Sequence, residues 1–521
     1  MDFYGSHWVL TFLIFFPLAG AVVAALVPER LARSVALGVG VIELLVALPL
    51  FWTFDPAAGM QNRIDVPWMA DWGIGYRLGL DGISLFMVLL TAFLLPLTVL
   101  GSWSYIRDRQ RAFYAMLLGL TTGVVGVFVA LDMFLFYVFW EIMLIPMYFL
   151  VGVWGGKERI YAAVKFFLYT AFGSLLMLVA ILYLYFKAQG LTGEATFAYE
   201  AFLALPLTFT EQALLFAGFA LAFAIKVPIF PFHTWLPHAH VQAPTAGSVV
   251  LAGVLLKMGT YGFLRFALPL FPAAALNETT VLIFMSLAVI GIVYTAMVAA
   301  VQPNAKRLVA YTSVAHLGFA ILGIFAFNLQ GIQGALLLMI AHGLSTPMLF
   351  FLLGMMYERR HTYEIADYGG LAASVPILSA MLVFAALATI GLPGTSGFVS
   401  EFLVLLGAFQ THPYLALIAA TGVIFAAYYM LPPLQRIVFN ALDRKENRVI
   451  PDLNRRELTI LVPLVALIIW IGVYPRPVLD RMEPAVSQLI HQVEGGRMVV
   501  APPTDHAAGR PPVAAADEER R

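Results

Sequence analysis

The chain contains no cysteine, which excludes thiolate-held iron–sulfur clusters and disulfide bridges within it. Charge is scarce as well. Only 12% of the 521 residues are Asp, Glu, Lys or Arg, and the formal net charge is zero, so the basic footprint of a nucleic-acid binder is missing. Glycine-rich nucleotide fingerprints are also missing: GVWGGK at 152–157 has neither P-loop nor dinucleotide spacing. No cofactor site, metal site or nucleic-acid partner is therefore expected in this chain.

What the sequence has in abundance is apolar length. It is 61% hydrophobic, with a mean hydropathy of +0.88, which places it in the membrane class. Runs near 20 residues, long enough to cross a bilayer as helices, recur along almost its whole length. Fourteen spans are expected, at roughly 8–27, 31–52, 82–101, 113–130, 132–152, 162–186, 212–230, 242–266, 279–301, 308–327, 333–357, 374–410, 414–438 and 458–475. The expected fold class is an all-α polytopic membrane protein. The first run is a full span ending at Pro28-Glu29-Arg30 rather than a cleaved leader. The segment 476–521 reads as an exposed tail, and its Pro- and Ala-rich end after about residue 495 as disordered.

Basic residues sort between alternate loops. Seventeen fall on one side, among them Arg107, Arg109, Arg111, Lys306, Arg307 and Arg359. Arg63, Arg77, Lys187 and Arg265 fall on the other. The basic side is expected to be cytoplasmic, and fourteen spans then leave both termini outside. Three lysines lie inside spans. Lys165 is near enough to an end to reach the interface, but Lys226 and Lys257 are not.

These two lysines have company at similar depth. Lys257 precedes Arg265 by eight residues, roughly 12 Å of helix, and Glu141 follows Asp132 by nine, roughly 13 Å. Glu401 follows the phrase GLPGTSGFVS, and His316 and His342 lie in the tenth and eleventh runs. A lone charge at the bilayer centre costs several kcal/mol, so each of these residues should face a partner or water. Two readings stand for the set, helix-joining polar contacts or a proton path, and the histidines fit either. His233, His238 and His240 lie beside helix breaks without a fixed ligand spacing, so a metal is not expected there.

The stretch FAIKVPIFPFHTWLP (223–237) carries Pro228 and Pro231 directly after Lys226. Proline removes ladder donors, and backbone groups freed at membrane depth persist only where protein or water satisfies them. A hydrated cavity beside Lys226 is the expectation. A second break, at Pro393 and Gly394, lies five spans later and adjoins Glu401. Paired interruptions in two halves mark inverted repeats. Spans 4–8 then match spans 9–13, with broken spans 7 and 12, setting Glu141 against His316 and Lys226 against Glu401. The expected organisation is 1–112 for three N-terminal spans, 113–268 and 279–438 for the two five-helix repeats, 439–457 for a basic loop, 458–475 for the last span and 476–521 for the tail.

VPWMADWGIGYRLGLDGIS (66–84), FAIKVPIFPFHTWLPHAHVQAPTAGSVVLAGVLLKMGTYG, QPNAKRLVAYTSVAHLGF and LPGTSGFVSEF together resemble the antiporter-like membrane subunits of respiratory complex I, the proton-translocating NADH:quinone oxidoreductase. Within that group the acid at Glu401 resembles the NuoM-type branch; NuoL-type and NuoN-type relatives more usually carry lysine there. A lateral helix after the fourteenth span, which a NuoL-type chain requires, is not expected.

The resemblance implies an ion pair between Glu141 and Lys226, a central relay lysine at Lys257, a connecting path through His316 and His342, and a terminal acid at Glu401. Asp81 matches an aspartate of the same family and by itself reads as the N-cap of the third helix. Also implied are NADH, flavin, iron–sulfur clusters and quinone in partner subunits, NuoL-type and NuoN-type neighbours, and a bacterial inner membrane. The alternatives are a subunit of a multisubunit Na+/H+ antiporter or of a hydrogenase-linked proton pump.

Overall fold

A computed structural model describes residues 8–500. Among these, thirteen helices are long and apolar enough to cross a membrane. They run Trp8–Leu26, Glu29–Thr53, Leu85–Ser102, Gln110–Val129, Met133–Trp154, Arg159–Thr192, Phe209–Lys226, Thr245–Leu270, Glu278–Ala300, Ala305–Ala326, Leu329–Arg360, Pro413–Phe439 and Arg455–Val473. The remaining expected span is broken into two shorter apolar helices, Pro376–Thr389 and Ser396–Thr411. Counting that pair as the twelfth gives the ordinal numbers used below.

The eighth span is buried along its whole length and the tenth and eleventh almost so; the sixth, ninth, thirteenth and fourteenth present apolar side chains outward. Outward apolar surface is what hydrocarbon or neighbouring membrane helices require. The buried middle is where every side chain of the candidate site sits.

Two elements depart from the sequence expectation. The first is a β-hairpin between the second and third spans, Gln61–Met69 paired antiparallel with Ile74–Leu80 through Ile64↔Leu78 and Val66↔Tyr76. Its anchor is Asp132, which accepts from the Gly75 amide at 3.0 Å and from Arg77 Nη1 at 2.5 Å. The same carboxylate caps the fifth span at Phe134 and Leu135, so one buried acid fixes both hairpin and helix. The second departure is the supposed tail. Arg476–Val500 is a helix, and Val478, Met482, Val486, Leu489 and Val493 bury one stripe of it. Spacings of three and four residues put those side chains on a single face, which explains why the segment packs rather than hangs free. The disordered end expected beyond it lies outside the described residues.

Asp81 caps the turn before the third span. Its Oδ1 accepts from the amides of Ile83 and Ser84 at 3.1 and 3.0 Å, and the helix itself starts at Leu85. Burial pushes this carboxyl up, but the Arg265 guanidinium and the Ser84 contacts hold it below the usual carboxylate range.

Candidate functional site

The seventh span ends at Lys226, and a short helix, Trp235–Gln242, follows the break. The break is satisfied from within: Trp235 Nε1 donates to the Ile225 carbonyl at 2.9 Å, and the Ile229 amide donates to Ala224 O at 2.8 Å. Lys226 is 1% exposed, with its amine 3.3 Å from the Met143 sulfur. It also lies 5.4 Å from the Trp140 ring centre and 5.7 Å from that of Phe166, within cation–π range. Where the sequence reading expects a hydrated cavity, the amine meets rings and sulfur.

Met143 comes to Lys226 because the fifth span has a joint of its own. Helix runs Met133–Ile142 and resumes at Leu144, and Pro146 supplies no amide to bond back to Ile142. Glu141 sits at this joint, half-buried, beside Tyr137, with Oε1 unbonded. Glu141 is close enough for its charge to act on Lys226, but the two make no ion-pair contact within 4 Å.

Gly259 brings the seventh and eighth spans together: a Cβ there would stand 2.8 Å from Phe223 O and 2.7 Å from Val227 Cγ2. Two residues earlier stands Lys257, 0% exposed, at the start of a helical turn between two π-helical segments, Leu251–Leu255 and Phe263–Ala267. Such wide turns recur at functional positions because they leave carbonyls poorly engaged. The Lys257 amine bends back onto the Ala252 carbonyl and lies 2.8 Å from His342 Nδ1. A protonated Lys257 donates to this Nδ1, and a neutral amine can instead accept from it.

His342 adjoins His316, with ring centres 6.0 Å apart. His316 Nδ1 lies 2.7 Å from Glu401 Oε1, and its Nε2 lies 3.4 Å from the Tyr429 hydroxyl. Glu401 belongs to the helix that begins after the second break. That break turns through Gly391 and Gly394, at φ +78° and +93°, conformations that glycine adopts without strain. A Cβ on Gly391 would lie 3.1 Å from Glu401 Oε2, so the glycine also leaves room for the acid.

All six expected site residues thus lie in or beside the buried middle, in two groups. Glu141 and Lys226 form one, without direct contact. Lys257, His342, His316 and Glu401 form the other, joined by two hydrogen bonds and one ring-to-ring step.

Three further groups, one of them new and two given other roles by the sequence reading, also lie here. Tyr429 touches His316. Lys306, counted there among loop cations, is 2% exposed, and its amine donates to Ala243 O at 2.5 Å. His240 is stacked on Phe350 at 4.7 Å with both ring nitrogens unbonded. A buried Lys306 followed by an exposed Arg307 is a helical step at the membrane edge, which loop counting cannot separate. Lys165 meets His238 Nδ1 at 3.2 Å. Among the described residues no three His, Asp or Glu side chains group as a metal site.

A polytopic helical protein with a file of buried acids, lysines and histidines is a membrane protein built to conduct or exchange small cations. The chain belongs to the family described as NADH:quinone oxidoreductase/Mrp antiporter, transmembrane, whose pattern matches residues 130–426. The amino-terminal pattern of NADH-ubiquinone oxidoreductase chain 4 matches 60–125. It is 48% identical over 498 residues to NADH-quinone oxidoreductase subunit M of Rhodobacter capsulatus, covering 92% of this chain and 96% of that one. To subunit M of Escherichia coli K12 it is 45% identical over 473 residues, covering 88% and 92%. Among solved structures, a chain of respiratory complex I from Thermus thermophilus superposes with a TM-score of 0.83 at 34% identity, covering 92% of this chain and 99% of that one.

Proposed function

We propose that this chain is a proton-translocating membrane subunit of NADH:quinone oxidoreductase, and that Glu141, Lys226, Lys257, His342, His316 and Glu401 are its relay. Support for the activity comes from the relatives at 45–48% identity over most of the chain. Support for the path comes from one observation: four buried titratable side chains on the eighth, eleventh, tenth and twelfth spans lie in a contiguous series.

The first group acts as the switch. At roughly 7 Å and an effective dielectric near 20, the charge of Glu141 changes the energy of protonating Lys226 by about 2.4 kcal/mol. The joints at Met143 and after Lys226 allow that distance to change, loading or releasing a proton on the lysine. The proton then passes to Lys257, through His342 and His316 to Glu401, and outward. Against a potential of about 150 mV each charge needs roughly 3.5 kcal/mol, more than one pair supplies, so several coupled steps are required.

The chain holds no redox group in this scheme. NADH, flavin, iron–sulfur clusters and quinone belong to partner subunits, with NuoL-type and NuoN-type chains as membrane neighbours. The basic face is cytoplasmic, the hairpin and Arg476–Val500 lie on the outer face of a bacterial inner membrane, and both termini point outward.

The test is NADH-driven proton uptake in inside-out vesicles carrying Glu141→Gln, with assembly checked on a native gel. Loss of uptake in an assembled complex is the expected result. Normal uptake returns these charges to the role of helix joints. Sodium-dependent proton exchange by vesicles lacking the redox arm would instead favour the antiporter reading.

A further inference from the structure

Arg265 and Asp81 take no part in that series, although Arg265 rides on the same helix as Lys257. Tyr261 and Arg265 follow Lys257 at intervals of four residues, one face of the helix, with Arg265 about 12 Å further along. Arg265 Nη2 lies 2.5 Å from Asp81 Oδ1, and its Nε donates to the Tyr261 hydroxyl at 3.2 Å. Tyr261 in turn donates to Phe128 O at 2.8 Å, and Tyr199 donates to Arg265 O at 2.7 Å. Both charged side chains are buried, at 6% and 8% exposure.

They nonetheless line a cavity of about 180 Å³ that opens beside Glu200, Gln488 and Gln492, all exposed, along the edge of Arg476–Val500. On the proposed orientation the outer solution therefore approaches to about 12 Å from Lys257 along the helix. That route is straighter than the lateral series through two histidines, and left open it would discharge the lysine before its proton reached Glu401. Three features oppose it. The Lys257 amine leans the other way, onto Ala252 O. Tyr261 has its one donor committed to Phe128 O. And a guanidinium, which does not release its proton, stands at the mouth. A fixed cation at a constriction is the device by which narrow pores exclude protons.

We propose that Arg265, held in place by Asp81, is an electrostatic plug that closes the short outward route from Lys257 and so obliges protons to leave by way of Glu401. The inference rests on the relay reading above. In this role Asp81 is a positioning residue, and the charge that matters is the arginine's.

The test uses assembled complex in inside-out vesicles, reading NADH oxidation, proton uptake per NADH and passive proton conductance. Arg265→Gln is expected to keep oxidising NADH while uptake per NADH falls several-fold and passive conductance rises. Arg265→Lys keeps a cation, but one able to release its proton, and is expected to fall between the unaltered chain and Arg265→Gln. Asp81→Asn keeps an oxygen that can still accept from the guanidinium, so the cation stays in place and the variant stays largely coupled, whereas a pair that merely joined elements would make the Asp81 and Arg265 variants fail alike. Should Arg265→Gln not assemble, Asp81→Asn/Arg265→Gln removes both charges together and is expected to leak in the same way. Normal coupling in either plug-less variant, or equal losses in the two single variants, overturns the proposal. Adding Lys257→Ala to Arg265→Gln separates the two ideas. A leak that disappears supports both, and a leak that persists keeps the plug but removes Lys257 from the path.

Discussion

The two groups of buried charges use the same residue types and hold them in opposite ways. Lys226 faces rings and a thioether, with its carboxylate neighbour within electrostatic reach but unbonded. Lys257 is hydrogen-bonded to a carbonyl and an imidazole, and beyond it His316 is bonded to Glu401. A lysine among rings gains only about 0.5–2 kcal/mol from them, so in the proposed scheme the influence that can vary is its distance from Glu141. Lys257 instead has two hydrogen-bonding partners at its amine. In the function proposed above, the first group switches and the second conducts. The breaks divide the groups only in part: Glu141 and Lys226 adjoin interruptions in their helices, as Glu401 does after Gly394, whereas Lys257, His316 and His342 lie well inside buried spans.

The sharpest way to break the comparison is to remove the centre of the conducting group. Lys257→Ala leaves His342 Nδ1 buried and unpaired, at a cost of about 1–3 kcal/mol in stability, and is expected to abolish NADH-driven proton uptake in assembled complex. Retained uptake would mean that the bonded series does not carry the proton. Next comes a test of the switch. Glu141→Asp keeps the charge but shortens the reach, and Glu141→Gln keeps the size but loses the charge. If distance-dependent charge is the lever, the aspartate variant retains partial uptake and the glutamine variant none, measured side by side in vesicles. Equal loss in both would make Glu141 a bonded partner like those of the second group, and the distinction would fall.

Depth counting alone found Glu141, Lys226, Lys257, His316, His342 and Glu401, because a charge in the middle of an apolar run has nowhere bland to go. It could not show who touches whom. His342 and Lys257 are 85 residues apart, as are His316 and Glu401, and only packing decides that each pair is bonded. The joint at Met143 was in plain view as Pro146, yet one proline inside a span is common enough to pass unnoticed. A search for runs near 20 apolar residues passes over the hairpin, because Val66, Trp68 and Tyr76 belong to two short strands. Arg476–Val500 was lost to its arginines, glutamates and glutamines, which lower mean hydropathy while leaving a five-residue apolar stripe intact. Lys306 was miscounted for a similar reason: a boundary uncertain by a turn decides whether a lysine is loop or core.

Tyr429 and Met143 permit the finest comparison, since each touches one group without belonging to it. Tyr429→Phe removes a long contact at His316 Nε2 worth about 0.5–1.5 kcal/mol, so uptake should fall by no more than about tenfold. If His316 relies on that hydroxyl to stay oriented towards Glu401, the loss will show as slower pumping at an unchanged number of protons per NADH. Met143→Leu keeps the volume and removes only the sulfur, a change that well-packed cores absorb for less than about 1.5 kcal/mol. It should leave assembly intact and pumping near normal, because the switch works through the charge of Glu141 and not through the thioether. A Met143→Leu chain that assembles but does not pump would mean that the sulfur itself helps hold the proton on Lys226. The first group would then be bonded after all, and the contrast with the second would have to be drawn at the histidines.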